Sequence, residues 1–283
     1  MESTALSGKV ALITGASRRI GRATALRLAD CGADLVIHAK SSRNEAEEVA
    51  EEVRSRGRRA LVQMADVTDE QAVATMMENI REAFGRLDIL VNNASVRSHE
   101  AFLSMSLSQW RDMLAVILDG AFLCSRAALP LMIAGAGGVI VNIGGVTAHV
   151  GAMERAHVCT AKAGLIGLTK ALAVEFGAAN IRVNCVVPGK IGGQRSTTSG
   201  RGLSSEEGNR PLLDRMGEER SGRHDRGHVS ADVGLHDRAD HSCQRRYVFA
   251  VRLCAVSGSL QEGSQLGHIG DRLQFHHGVD DLG

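Results

Sequence analysis

Six short apolar runs, each followed or preceded by a segment of helical spacing, fill the first two-thirds of this chain. The runs are KVALIT (9–14), ADLVIHA (33–39), ALVQMAD (60–66), LDILVNN (87–93), GVIVNIGG (138–145) and IRVNCVVPG (181–189). Between them lie RRIGRATALRLADCG, the polar amphipathic SSRNEAEEVAEEVRSRG, and segments near 69–84, 107–133 and 155–178. Continuous apolar runs, rather than alternating ones, are what strands covered on both faces require. Strands alternating with helices then predict one parallel sheet between two helical layers. The expected fold class is α/β, a doubly wound Rossmann-type sheet in three layers, with its ligand at the carboxyl ends of the strands.

Composition narrows the setting. A hydrophobic content of 44% can bury a sizeable core, and a net charge of +1 gives no field for nucleic acid or an anionic surface. No apolar run approaches the roughly 20 residues of a membrane helix. MESTALSGKVALITG lacks the basic start and apolar stretch of a signal peptide. Six cysteines without a C-x-x-C pair argue against a zinc site or a disulfide framework and for a reducing, cytoplasmic setting. The expected partner is a small-molecule substrate, with no nucleic acid, membrane or metal.

The alternation stops after about residue 219. ERSGRHDRGHVSADVGLHDRADHSCQRR has neither period, and seven of the eleven histidines lie in this last segment. A poorly ordered tail is the simplest expectation. A sharper one comes from its codons. HDRADHSCQRRYVFA (236–250) can be encoded so that the frame one base later reads MTGQTIHVNGGMFL. SGRHDRGHV (221–229) shifted the same way can read LAAMTAAM, a plausible helix. These readings point to a frameshift near 218–221, dividing the chain into a nucleotide-binding domain (1–218) and an atypical tail (219–283).

TGASRRIG (14–21) lies between the first strand and the first helix. Glycine there lets backbone approach a pyrophosphate, and the helix start offers free N–H groups and a positive dipole end. In a strand–turn–helix setting this pattern is a strong dinucleotide signal. The second strand ends in IHAKSSR, without the acidic residue that would accept the ribose hydroxyls of NAD. Lys40, Ser41 and Arg43, with Arg18 in the loop, suit a 2′-phosphate instead, so NADP(H) is expected over NAD(H). Asp66 is placed for an adenine amine, and NNAS (92–95) for the ribose and nicotinamide.

TGASRRIG, ADV (65–67), LVNNAS, AKAG (161–164) and IRVNCVVPG resemble, in order and spacing, the short-chain dehydrogenase/reductase family. The resemblance covers about residues 7–218. It implies a Rossmann-type domain, usually a dimer or tetramer, that moves hydride between NAD(P)H and a carbonyl or alcohol. It also implies a cofactor-binding set of Gly15, Ser17, Arg18, Arg19, Ile20, Gly21, Lys40, Ser41, Asp66, Val67, Asn93, Ala94, Lys162, Pro188 and Gly189. TGASRRIG and NNAS depart from the usual TGxxxGxG and NNAG, and both variants are similar to the pteridine-reductase-like branch. TGQTIHVNGG in the shifted frame looks like the family's last strand and loop. A frameshift would therefore remove the last strand and helix, and with them a subunit interface.

The family's chemistry is the part that departs most. Its tyrosine protonates the substrate oxygen, and a lysine one turn later binds the nicotinamide ribose and lowers the tyrosine pKa. A serine steadies the oxygen and an asparagine holds a relay water. Carried over residue by residue, Lys162 alone survives. The tyrosine position is Val158, the serine position Gly145 and the asparagine position Ile117. Thr147, two residues beyond Gly145, and His157, beside the vacancy, are the candidate substitutes, with Cys159 and Arg155 also near. The expectation is an NADP(H)-binding oxidoreductase with catalytic candidates Lys162, Thr147 and His157. The alternatives are a non-catalytic nucleotide-binding protein, an inert frameshift product, or a lyase or isomerase step using bound nucleotide.

Overall fold

The computed structural model describes residues 5–189. Six strands, β1 (Val10–Ile13), β2 (Asp34–Ala39), β3 (Ala60–Met64), β4 (Ile89–Asn92), β5 (Gly138–Ile143) and β6 (Ile181–Val186), form one sheet in the order β3-β2-β1-β4-β5-β6. Every pairing is parallel. The chain reverses direction across the sheet between β1 and β4, which opens a crevice beyond their carboxyl ends. Helices α1 (Arg19–Asp30), α2 (Arg43–Arg54), α3 (Glu70–Phe84), α4 (Leu107–Leu114), α5 (Gly120–Ala134), α6 (Thr147–Val150) and α7 (Ala156–Glu175) connect the strands. A π-helical turn, Ala115–Asp119, joins α4 to α5.

The apolar runs are continuous because neighbouring residues of one strand enter different cores. Ala11 and Ile13 pack with Leu35, Ile37 and the α1–α2 layer, where Leu28, Val49 and Val53 are buried. Val10 and Leu12 pack with Val36, Leu90 and Ile140 against α3 and α5, through Met76, Ile80, Cys124 and Met132. Each such aliphatic side chain contributes about 1.5–3 kcal/mol on burial. Local signals set the ends of the helices. Asp69 caps α3 by accepting from the Gln71 and Ala72 N–H groups, and Gly85 closes it at φ 71°. Ser106 and Gln109 make a reciprocal capping box on α4.

One sequence expectation is corrected here. The helical stretch Leu107–Ala134 is long and apolar enough, by composition, to cross a membrane. Its apolarity has another use in this fold. Through Cys124, Ala128, Leu129 and Met132 it fills the core beneath β4 and β5, and through Met113, Ile117 and Ala121 it packs on α7. A helix buried on two sides carries few polar residues.

A chain of buried amides ties these layers together. Asn92 on β4 donates to Ser125 Oγ at 3.0 Å and to Asn142 Oδ1 at 2.9 Å. Asn142 on β5 donates in turn to Thr169 Oγ1 at 2.9 Å, and Thr169 donates to the Leu165 carbonyl at 2.7 Å. Sheet, α5 and α7 are thereby held in one register at the end where the crevice opens.

Candidate functional site

The crevice is organised around the turn after β1. Thr14 Oγ1 accepts from the N–H groups of Asn93 and Ala94 at 2.9 and 3.0 Å. The Asn93 side chain donates back to the carbonyls of Thr14 and Gly15 at 2.8 and 2.9 Å. The two loops at the switch point are therefore locked to one another. Gly15 sits at φ 63°, where a glycine is required. A Cβ on Gly21 would lie 2.2 Å from the Gly15 carbonyl oxygen, so helix α1 can start this close to the loop only with glycine at that position. This close backbone approach is what a bound dinucleotide needs, and the residues present fit it. Arg19, at φ 50°, is a non-glycine residue in the left-handed region. It occupies the place of the usual second glycine at the backbone conformation a glycine would adopt.

The expected phosphate-side cations lie at the loop and the β2 end, each paired with a carboxylate. Arg18 makes a two-point contact with Glu45 of α2. Lys40 Nζ lies 2.5 Å from Asp66 Oδ2. Arg43 lies 3.7 Å from Glu47. Ser17 Oγ is 3.3 Å from Ser42 Oγ, joining the glycine loop to the start of α2. The Asp66 carboxyl is held below its ordinary range, first by its bond to Lys40 and then by the N–H and hydroxyl of Thr68. Val67 is buried, its side chain in the core against Gly120, so only its backbone faces outward. Pro188 and Gly189 follow β6 at the far side of the crevice, and the Val146 N–H bonds the Pro188 carbonyl at 3.3 Å.

Helix α7 brings Lys162 to the same crevice. The lysine is 7% exposed. Its Nζ donates to the Ile143 carbonyl at the end of β5, at 2.5 Å. Burial pushes its pKa down to about 8, with Cys185 opposing and Arg97 assisting. One turn earlier, Val158 is 8% exposed and belongs to an apolar cluster with Met113, Ile117, Ala121, Ala161 and Leu165. Val158 and Ile117, the positions where the resemblance implies a tyrosine and an asparagine, are therefore packed into a single apolar cluster. The two replacements are mutually compatible: an aliphatic at either one offers the other a dry neighbour. Ile117 still occupies the π-helical turn, a local irregularity often found at functional sites.

Of the two candidate substitutes, the structure separates one from the other. A Cβ on Gly145 would lie 3.7 Å from Thr147 Oγ1 and 3.9 Å from Lys162 Cγ. The Thr147 hydroxyl is thus a neighbour of position 145, on the same side as the Lys162 stem. His157 is fully buried and turned the other way. Its Nε2 is 2.6 Å from Ser98 Oγ on the loop after β4, and its Nδ1 has no partner among the described residues. Burial holds its pKa below the ordinary value, with Glu100 opposing and Arg155 assisting. Arg155 Nη2 is itself 2.5 Å from His99 Nε2. Cys159 is a half-buried free thiol.

Sequence reasoning missed His38. It lies buried at the end of β2 and bonds the glycine loop directly: the Gly15 N–H donates to its Nδ1 at 3.1 Å. The only signal in the sequence was a polar residue within an otherwise apolar run.

With this geometry in hand, the chain can be set beside known proteins. Residues 9–202 match the family model described as short chain dehydrogenase. A 3-oxoacyl-[acyl-carrier-protein] reductase from Synechocystis is 39% identical over 188 residues, 66% of this chain and 76% of that protein. A (2S)-[(R)-hydroxy(phenyl)methyl]succinyl-CoA dehydrogenase subunit from Thauera aromatica is 40% identical over 186 residues, 66% of this chain and 74% of that one. Among solved structures, a short-chain type dehydrogenase/reductase from Mycobacterium marinum superposes with a TM-score of 0.63 at 38% identity. It covers 66% of this chain and 76% of that one.

Proposed function

This chain belongs to the short-chain dehydrogenase family, and on that premise we propose that it binds NADP(H) in the crevice between β1 and β4 and transfers hydride to or from a small carbonyl compound. The observation that carries this reading is the mutual lock of the Thr14–Gly15 and Asn93–Ala94 turns, with Gly21 in backbone contact and Lys162 at the same strand ends. The preference for a 2′-phosphate is supported by Arg18, Lys40 and Arg43 at the β2 side and by the lack of an acidic residue at the end of β2. When bound, the nicotinamide supplies the hydride.

The chain's own residues do the rest. Lys162 orients the ribose from a dry position, where each of its hydrogen bonds is strengthened by the low local dielectric. The Thr147 hydroxyl steadies the substrate oxygen in place of the serine. Val158 supplies no proton, and a general acid typically contributes about 10²- to 10⁴-fold, so the substrates favoured are carbonyls whose reduced form needs little help. The relatives named as 3-oxoacyl-carrier and acyl-CoA enzymes make a 3-oxoacyl thioester the first class to assay. The rival reading, nucleotide binding without turnover, draws on the apolar packing of Val158 and Ile117.

The domain division belongs to this proposal as well. The family match ends at residue 202, before the boundary expected at 218, and the tail from 219 lies outside the described residues. We read 219–283 as the product of a shifted frame. Sequencing the gene tests this directly: DNA whose +1 frame does not encode TGQTIHVNGG ends the idea. The functional test is an NADPH fluorescence titration of the chain with NADH alongside. Saturable binding favouring NADPH supports the reading, and soluble protein that binds neither refutes it.

A further inference from the structure

Gly15 is clamped from both sides. Its carbonyl accepts from Asn93 Nδ2 at 2.9 Å. Its N–H is taken by His38 Nδ1 at 3.1 Å. The next N–H, that of Ala16, is held by the backbone carbonyl of the same histidine at 2.8 Å. On the other side of the imidazole, Nε2 lies 3.0 Å from the Ala65 carbonyl, at the turn after β3. One ring at the end of β2 therefore spans the two turns that flank it, the glycine loop after β1 and the Ala65–Asp66 turn after β3.

The partners fix the proton. A carbonyl oxygen can only accept, so Nε2 carries the hydrogen; a backbone N–H can only donate, so Nδ1 must be bare. His38 is 2% exposed, so no water can replace either bond. Protonation would place an N–H on Nδ1 facing the Gly15 N–H, two donors about one hydrogen-bond length apart with no acceptor between them. Rotating the ring cannot relieve this, because both nitrogens of an imidazolium are donors. The loop would have to move away.

We propose that His38 is a positioning residue of the nucleotide site: as its neutral Nε2–H tautomer it ties the glycine loop to the turn after β3, and nucleotide binding requires it neutral. This rests on the reading of the crevice as a nucleotide site. The charged groups of the flanking segments are Arg18 and Arg19 of the glycine loop, Lys40 just after β2, Glu45 of α2 and Asp66 of the β3 turn. Asp66 is the one whose charge acts on the ring. The Asp66 and Glu45 carboxyls are both held below their ordinary range, by Lys40 and Arg18 respectively, so neither changes charge where an imidazole does. Burial holds the His38 pKa below its ordinary value, against the opposing pulls of the Ala65 bond and the Asp66 charge. The effect therefore falls on the acid side of about pH 6.5.

The test uses the full chain, titrated calorimetrically with NADP⁺ and with NAD⁺ from pH 8 to 5. NAD⁺ has no 2′-phosphate, so its curve is free of that group's own titration. When only the neutral form binds, the apparent Kd rises as the neutral fraction falls, approaching tenfold per pH unit. The expected result is that rise for both nucleotides, with a midpoint that coincides with the titration of His38 followed by ¹⁵N NMR of the free protein. His38→Asn keeps an acceptor for the Gly15 N–H and cannot titrate, so its affinity for NAD⁺ should be flat over the same range. His38→Ala should bind more weakly at every pH. Affinity that stays flat while His38 protonates, a wild-type Nδ1–H tautomer, or an unchanged pH dependence in His38→Asn would each overturn the proposal. Should the variants not fold, the coincidence of midpoints in the wild-type chain still decides. Absence of binding to either nucleotide at pH 8, with the Nε2–H tautomer present, would sink the nucleotide reading and this role with it. Binding without pH dependence would sink this role alone.

Discussion

Restoring the family's acid to this scaffold is the most informative perturbation, and the structure gives its terms. The double variant Val158→Tyr, Gly145→Ser puts a phenol one helical turn before Lys162 and a hydroxyl on the loop beside it. At 145 the added Cβ meets only Thr147 Oγ1 at 3.7 Å and Lys162 Cγ at 3.9 Å, ordinary contact distances, so the Cβ itself enters without displacement. At 158 the ring replaces a side chain that is 8% exposed and borders the Met113–Ile117 cluster. Two forces then act on the phenol. An ammonium within about 4–6 Å lowers a phenol by about one to three pH units, while burial raises it. The direction of the net displacement from about 10 decides whether position 158 faces the lysine or only the apolar cluster.

Coupling is reciprocal. Each pH unit by which the phenol falls is about 1.36 kcal/mol of attraction, and Lys162 should rise from about 8 by a similar amount. Absorbance of the phenolate, with Val158→Phe as the blank that cancels Tyr247, reads this without any substrate. A phenol titrating below 10 is expected, accompanied by a gain of about 10²- to 10⁴-fold in reduction of a 3-oxoacyl thioester by NADPH. A phenol at or above 10 in a folded, nucleotide-binding variant would show that Lys162 does not serve position 158. The assignment of the lost acid would then be wrong.

Three further outcomes are expected. Gly21→Ala should lower the thermal midpoint and abolish nucleotide binding, because its Cβ would sit 2.2 Å from the backbone oxygen of Gly15. Overpacking of this kind costs about 1–3 kcal/mol or more, and an unchanged midpoint with intact binding would contradict the loop geometry. Asn142→Ala should cost about 1–3 kcal/mol in denaturant titrations. It removes two buried bonds, yet Asn92 keeps Ser125 and Thr169 keeps the Leu165 carbonyl; a neutral result would mean the amide chain does not hold the layers. Thermal stability should fall on acidification below about pH 6.5. His38 and His157 are both held by burial below their ordinary value. The unfolded chain thus binds protons that the native chain refuses, so stability is full above about 6.5 and is lost as pH drops through the native values. A melting temperature constant from pH 7 to 5 would refute this.

The sheet was legible because the cause is local and repeated. A strand buried on both faces is apolar at nearly every position, and the VALI, ILV and VIV stretches of β1, β4 and β5 are unbroken. The extent of the third helix, near 69–84, was legible; its caps, Asp69 and Gly85, came from the structure. Alternation predicted a doubly wound parallel sheet; its strand order, β3-β2-β1-β4-β5-β6, came from the structure. The short helix Thr147–Val150 and the π-helical turn Ala115–Asp119 were not legible. Four or five residues carry no periodicity to read, and an inserted residue in a helix changes its hydrogen bonds without changing its composition.

The site divided in the same way. The glycine loop, Asn93 and Lys162 stood out in sequence because backbone approach and a lysine at fixed helical spacing restrict residue type. Gly145, Ile117 and Val158 stood out only through the resemblance, which implies a serine, an asparagine and a tyrosine at those positions. Only the tertiary structure decided what fills them. It put Ile117 of the π-helical turn against Val158 of α7, 41 positions apart in the chain, in one dry cluster. It put the Thr147 hydroxyl beside the empty serine position, and it turned His157 toward Ser98. It also joined His38 to Gly15 and Ala65, 23 residues back and 27 ahead. Sequence fixes which groups a chain carries and the periods at which they recur. Which of them meet depends on the crossing of strands and helices far apart in sequence, and no local pattern records that distance.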